Sequence, residues 1–101
     1  MSSDDHHLLA NLGSLVSEAG YLRTRSLALM QNDPHAVADP SDCDAVNDLL
    51  RETNAVCGVD KQLLADIQPL GKGASRAALH TNSGRLEHVL LLCLATARSG
   101  R

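Results

Sequence analysis

The chain contains almost no side chains from which a β-sheet could be built. Its 101 residues include 18 Leu and 13 Ala, but only 6 Val, 1 Ile and 1 Tyr, with neither Phe nor Trp. β-branched and aromatic side chains favour strands, whereas Leu and Ala favour helices. A chain of this length corresponds to one domain with one modest core. The sequence therefore predicts a single all-α domain over residues 1–101.

Two proline-containing loops divide the chain into segments of similar length. Residues 31–40 and 68–73 each combine proline with turn-forming residues, a pattern that ends helices. The predicted helical segments cover about residues 4–30, 41–67 and 74–98. Within the second segment, residues 58–60 (Gly-Val-Asp) are compatible with either a break or a continuous helix. Residues 81–84 (Thr-Asn-Ser-Gly) are compatible with an interruption of the third.

Acidic and hydroxyl side chains mark two of the predicted helix starts. Asp4 or Asp5 is placed to cap the first segment. Residues 41–44 (Ser-Asp-Cys-Asp) resemble a capping box at the start of the second segment. If the second segment is broken, Gly58 is the expected stop and Asp60 the cap of a new helix.

The first segment repeats apolar or small residues along one face. The repeat consists of Leu8, Leu12, Leu15, Ala19, Leu22, Ser26 and Leu29, at alternating spacings of four and three. This spacing predicts a helix packed along its length, and we expect an antiparallel helical hairpin with the second segment. A leucine zipper is the alternative. A second stripe is formed by small residues, Ala10, Gly13, Ser17, Gly20 and Thr24. It is either a solvent-facing surface or a site of close helix contact.

The third segment is too apolar for an outer helix of a three-helix monomer. Its apolar side chains extend over about 200° of the helix circumference. It is therefore either the central helix of the fold or part of an oligomer contact. With only two other segments available to cover it, we expect the helix bundle to be completed by homodimerisation. The predicted oligomer interface comprises Leu86, Val89, Leu90, Leu91 and Leu94.

Charge is unevenly distributed along the chain, whose net charge is −3. Residues 1–70 carry a net charge of −7 and residues 71–101 a net charge of +4. The basic part is expected to pack along the acidic part. Five scattered bases without interleaved aromatic residues do not predict nucleic-acid binding. The acidic residues predicted to face a protein partner are Asp33, Asp39, Asp42, Asp44 and Asp48.

The sequence shows no pattern typical of a catalytic, metal or cofactor site. The five histidines include no pair spaced four residues apart on a helix, so no metal site is predicted. Residues 71–75 (Gly-Lys-Gly-Ala-Ser) share only part of a phosphate-binding loop and are interpreted as a loop before a helix. We expect no enzymatic activity and no cofactor.

The three cysteines offer an alternative function. Cys43 and Cys57 would be about 21 Å apart on one continuous helix and could not form a disulfide. Cys57 and Cys93 both lie on predicted core faces, so they could form a redox-dependent cross-link. A buried cysteine that acts only as a small apolar residue is the simpler interpretation.

The sequence favours a small cytoplasmic binding protein. The acidic amino terminus does not resemble a signal peptide, and the longest apolar run, residues 89–95, is too short to span a bilayer. We expect a protein-binding module that acts as a regulator, an inhibitor or a chaperone-like adaptor, with a partner that the sequence does not identify. The alternative is a thiol- or metal-linked sensor that uses Cys57 and Cys93.

Overall fold

The computed structural model describes residues 3–57 and 61–99, and side chains within 7–57 and 62–99. The described residues form four helices, α1 (Ser3–Asn32), α2 (Pro40–Val56), α3 (Lys61–Ala65) and α4 (Arg76–Ser99). The molecule measures 48 × 22 × 18 Å. The prediction of an all-α chain is confirmed, and α1 and α4 match the predicted first and third segments to within two residues.

The helix starts differ in detail from the predicted caps. α1 begins at Ser3, so Asp4 and Asp5 lie inside its first turn rather than before it. α2 is capped by Asp39, whose side chain accepts a hydrogen bond from the Ser41 amide, with Pro40 as the first helical residue. Aspartate is a favourable cap and proline a favourable first residue, so this pair replaces the predicted capping box at residues 41–44.

The second predicted segment is interrupted in the structure, whereas the third is not. α2 ends at Val56 and α3 begins at Lys61, so the second segment is not one continuous helix. The predicted roles of Gly58 and Asp60 fall on residues outside the described ranges. By contrast, α4 continues without a break through residues 81–84. Ser83 is fully buried there, and its hydroxyl donates to the Leu79 carbonyl oxygen within the same helix.

The main helix pair consists of α1 and α4. The Arg76 side chain donates to the Leu29 carbonyl oxygen, and Arg23 forms an ion pair with Glu87. Because residue numbers fall along α1 as they rise along α4, the two helices are antiparallel. α1 is about 45 Å long and α4 about 36 Å, so this pair sets the length of the molecule. The contact between α1 and α2, which the sequence predicted as the principal hairpin, is present but less extensive.

The predicted repeat on α1 faces the core. Its buried members are Leu12, Leu15, Ala19, Leu22 and Ser26. Leu8, near the start of the helix, is 38% exposed and Leu29 is half-buried. The side chains in the middle of the repeat are therefore those that pack inside the chain, as expected for a helix packed along its length.

The small-residue stripe of α1 is mainly exposed, with one close contact. Ala10, Ser17 and Thr24 are exposed. A methyl group added at Gly20 would lie 3.0 Å from Oε2 of Glu87, whereas one added at Gly13 would meet nothing within 4 Å. The stripe thus contacts a neighbouring helix at Gly20 in particular.

Two asparagines hold the chain between α3 and α4. The Asn47 amide donates to the Leu70 carbonyl oxygen (2.9 Å) and accepts from the Leu70 amide (2.8 Å). Asn82 donates to the Gln68 carbonyl oxygen at 2.8 Å. The segment after α3 is therefore attached to both α2 and α4.

The two interhelical loops also bind each other through backbone hydrogen bonds. The Ala38 amide donates to the Ala74 carbonyl oxygen (2.8 Å), and the Arg76 amide donates to the Ala36 carbonyl oxygen (2.9 Å). The Ser75 hydroxyl accepts from the amide of Ala78 at the start of α4. Residues 71–75 therefore form a loop that leads into a helix, as interpreted from the sequence.

Alanine substitution at the two glycines of α1 should give different results. We expect Gly13→Ala to raise the free energy of unfolding by about 0.5–1 kcal/mol, because alanine favours the helix and the site is open. Gly20→Ala should gain less or lose stability, because the Glu87 carboxylate must move away from its position beside Arg23. Urea unfolding of both variants measures the difference, and equal gains would contradict the close contact at Gly20.

Loss of the Asn47 side chain should destabilise the fold. Asn47→Ala leaves both backbone groups of Leu70 without their partner, which costs roughly 1–3 kcal/mol. Asn11→Ala is the matched control, because Asn11 is an exposed residue of α1. Chemical unfolding should show a marked loss for the first variant and little change for the second. Similar values for the two would show that this attachment contributes nothing to stability.

Candidate functional site

A groove of about 570 Å³ lies between α3 and α4. The buried side chains of Ile67 and Val89 contribute to its lining, together with Leu63, which is 41% exposed. The polar residues that line it are Asp66, His80, Thr81, Arg85 and His88. The groove therefore combines an apolar base with charged and imidazole side chains.

The short α3 and the attached segment after it produce this groove. α3 has only five residues, and it lies beside a helix of 24 residues. Asn82 holds the Gln68 carbonyl oxygen, and Ile67 on the same segment is buried. The chain is thus fixed against α4 near Ile67, and the groove lies between this segment and the exposed side of α4.

A buried serine contacts the imidazole ring of His80. The Ser26 hydroxyl donates to the Arg23 carbonyl oxygen (2.9 Å) and lies 3.1 Å from Nδ1 of His80. This contact joins α1 to α4 and engages the Nδ1 side of a ring that lines the groove. Nε2 is the other ring nitrogen, and it can donate or accept a hydrogen bond with a molecule bound in the groove according to the tautomer.

Opposite charges lie on the two walls of the groove. Asp66 follows α3 and is exposed, whereas Arg85 and His88 are exposed residues of α4. Within the described ranges, neither Asp66 nor Arg85 has an ion-pair partner. Both charges can therefore interact with a partner molecule.

Four of the five residues predicted as an oligomer interface lie inside the single chain. Leu86, Val89, Leu90 and Leu94 are at most 9% exposed, and they belong to the core that α1 and α2 share with α4. Leu91 is 47% exposed. The apolar surface that suggested a dimer is thus largely covered without one, and Leu91 is the member of the set that remains exposed. Dimerisation itself stays a prediction.

The acidic residues predicted to bind a partner have mainly local contacts. Asp33 accepts from the His35 amide, and Asp48 forms an ion pair with Arg51. Asp44 is exposed. The acidic region is therefore not a continuous surface of unengaged carboxylates.

Asp39 and Asp42 fix the start of α2. Hydrogen bonds from the amide and hydroxyl of Ser41 lower the pKa of Asp39. Asp42 is buried, and its Oδ1 accepts from Arg25 Nε at 3.0 Å, a bond that raises the pKa of Arg25. These carboxylates stabilise a helix start and its contact with α1, so their use by a partner stays a prediction.

The three cysteines belong to the hydrophobic core. Cys43, Cys57 and Cys93 are 7%, 2% and 4% exposed. Burial, followed by the nearby carboxylates of Asp42, Asp44 and Asp39, raises the pKa of the Cys43 thiol. A raised pKa and burial both reduce reactivity. The positions of Cys57 and Cys93 fit the interpretation as core residues, and the sensor alternative remains untested.

Among the described residues, no group of three or more His, Cys, Asp or Glu side chains is arranged to hold a metal ion. None of the helices in the described parts of the chain combines the length and apolar character needed to cross a bilayer.

Comparisons with protein-family models, with curated proteins and with solved structures gave no significant match to this chain.

Sequence reasoning did not identify the groove. Its members come from residues 63–67 and 80–89, which become neighbours only through the attachment of the loop between α3 and α4. The feature that could have indicated the groove was the interruption of the second segment after Val56. An interruption there produces a short helix, and a short helix beside a long one leaves part of the long helix uncovered. In the sequence, His80 and His88 lack the spacing of a metal site on a helix, and nothing else indicates that both line one groove.

Native thiols should react slowly. In a titration with a small aromatic disulfide reagent, we expect Cys43, Cys57 and Cys93 to label far more slowly in the native protein than in denaturant, because all three are buried. The denatured protein should expose three thiols. One thiol that reacts in the native state as fast as a small-molecule thiol would contradict this account and favour the sensor alternative.

Proposed function

We propose that this chain is a protein-binding module and that the groove between α3 and α4 is its docking site. The observation that carries the proposal is an apolar groove in which Leu63 remains 41% exposed although the core beneath it is closed. Exposed apolar surface beside polar residues is typical of sites that bind other proteins.

The length of the exposed surface favours a protein partner over a small molecule. Leu91 lies on α4 one helical turn beyond His88, and it is 47% exposed. Leu91 does not line the groove, so exposed apolar surface is also present on α4 beyond the end of the groove. A partner helix or extended segment can cover this length, whereas a small ligand fits only within the groove.

The proposed biological role also depends on contact with another protein. We favour a regulator, an inhibitor or a chaperone-like adaptor, because each works through contacts with another protein and requires no catalytic group. A cytoplasmic location is part of the proposal, because an odd number of cysteines does not indicate the disulfide framework typical of small secreted proteins. The chain's lack of enzymatic activity is a prediction.

Capture from an extract of the source cells tests the proposal. The immobilised wild type should retain a protein that Leu63→Glu does not retain, because the substitution places a charge in the apolar groove. Leu8→Glu is the matched control, since Leu8 is 38% exposed at the start of α1 and does not line the groove. The captured protein, once purified, should bind Leu63→Glu roughly tenfold to a hundredfold more weakly by calorimetry.

Circular dichroism of each variant confirms that its helices remain. Retention of the same proteins by the wild type and by Leu63→Glu would contradict the docking site. Loss of capture with Leu8→Glu but not with Leu63→Glu would assign binding to α1 instead.

A further inference from the structure

We infer that the groove binds a second copy of this chain in a two-fold symmetric arrangement. The surface concerned is called the groove face and comprises Leu63, Asp66, Arg85, His88 and Leu91. The inference rests on the proposed function, because it assumes that the groove is a docking site for protein.

The groove face carries both an apolar projection and an apolar recess. Leu91 is exposed on α4, and the recess lined by Leu63, Ile67 and Val89 lies about one helical turn away. In a two-fold interface, a residue of one copy contacts a recess of the other, and the same contact recurs with the copies exchanged. Leu91 from each copy can therefore occupy the groove of its partner.

The charges of the groove face fit the same symmetry. Asp66 and Arg85 are exposed on opposite walls, and neither has an ion-pair partner among the residues that the structure describes. Two copies related by a two-fold axis can pair Asp66 of each with Arg85 of the other. A surface with only one sign of charge would instead repel its own copy.

The other large exposed apolar residues occur singly. Among the described side chains, Leu8 and Tyr21 lie on α1 and line neither groove, whereas Val37 is the one large exposed apolar residue of a second groove of about 300 Å³, which Asp44 and Lys72 also line. The groove face brings together two exposed leucines, a recess and two opposite charges. A second copy matches both the apolar and the charged features of the groove face. A partner with only an apolar segment would leave the two charges without a partner.

Self-association also has a consequence for the proposed function. A second copy that occupies the groove covers the site at which another protein would bind. Partner binding and self-association then compete, and the concentration of the chain determines how many grooves are open.

Light scattering and sedimentation over a wide dilution series, with reductant throughout, test the inference. The wild type should reach a mass near twice 10.7 kDa. Leu91→Glu should weaken self-association, whereas Leu8→Glu should not, although both replace a partly exposed leucine on a helix.

Charge reversal gives the sharper test. Asp66→Arg should weaken the dimer roughly tenfold or more, because the walls of both copies then become basic. Arg85→Asp should do the same by making them acidic. The double variant Asp66→Arg/Arg85→Asp restores opposite charges and should recover most of the wild-type affinity. A purely structural effect of either substitution would not be reversed by the other.

A wild type that has the mass of one chain at every concentration would overturn the second-copy inference. So would a dimer that all three single variants leave unchanged. Failure here is distinct from failure of the proposed function, because a monomer that captures a protein through Leu63 retains the docking site. A dimer that captures nothing would support the second copy alone.

Discussion

The antiparallel contact between α1 and α4 determines most of this structure. Small buried residues of α1, Ala19 and Ser26, allow α4 to approach along the middle of the helix. On α4, Leu86 and Leu90 are fully buried, and burial of each such side chain contributes roughly 1.5–3 kcal/mol. α2 and α3 pack onto this pair. Because α3 is short, part of α4 remains uncovered, and the groove lies on that part.

Much of the fold follows from the sequence because its cause is local. The excess of Leu and Ala over β-branched and aromatic residues favours helices throughout, and the proline-containing loops separate them. The four-and-three repeat of α1 correctly identifies its buried face. These features depend on residues close in sequence, so they can be interpreted without knowledge of the partner helix.

The sequence does not show which helices pack against each other. The buried face of α1 is equally suited to α2 or α4, and the wide apolar arc of α4 can be covered by its own chain or by another. In the structure, Leu86, Val89, Leu90 and Leu94 are covered within the chain. Local turn preferences are also overridden at residues 81–84, where Ser83 is buried and its hydroxyl bonds within the helix.

The groove could not be predicted because long-range side-chain hydrogen bonds create it. Asn47 and Asn82 contact backbone groups 23 and 14 residues away. From the sequence alone, neither asparagine can be told apart from an asparagine that faces solvent. The acidic residues predicted to bind a partner are a different case. Their composition suggested a binding surface, whereas in the structure Asp39 and Asp42 stabilise the start of α2. Charge pattern indicates where a surface is acidic, but the contacts decide whether its carboxylates are engaged.

Amide hydrogen exchange tests the central role of the α1–α4 pair most directly. We predict that amides in the middle of α1, around Ala19, and of α4, around Leu86, exchange most slowly, at a common rate set by global unfolding. Their protection should persist at dilutions at which the chain has the mass of a monomer, because the contact lies within one chain. Rapid exchange along α4 in the monomer would show that α1 alone does not cover the leucines of α4, and would contradict this account.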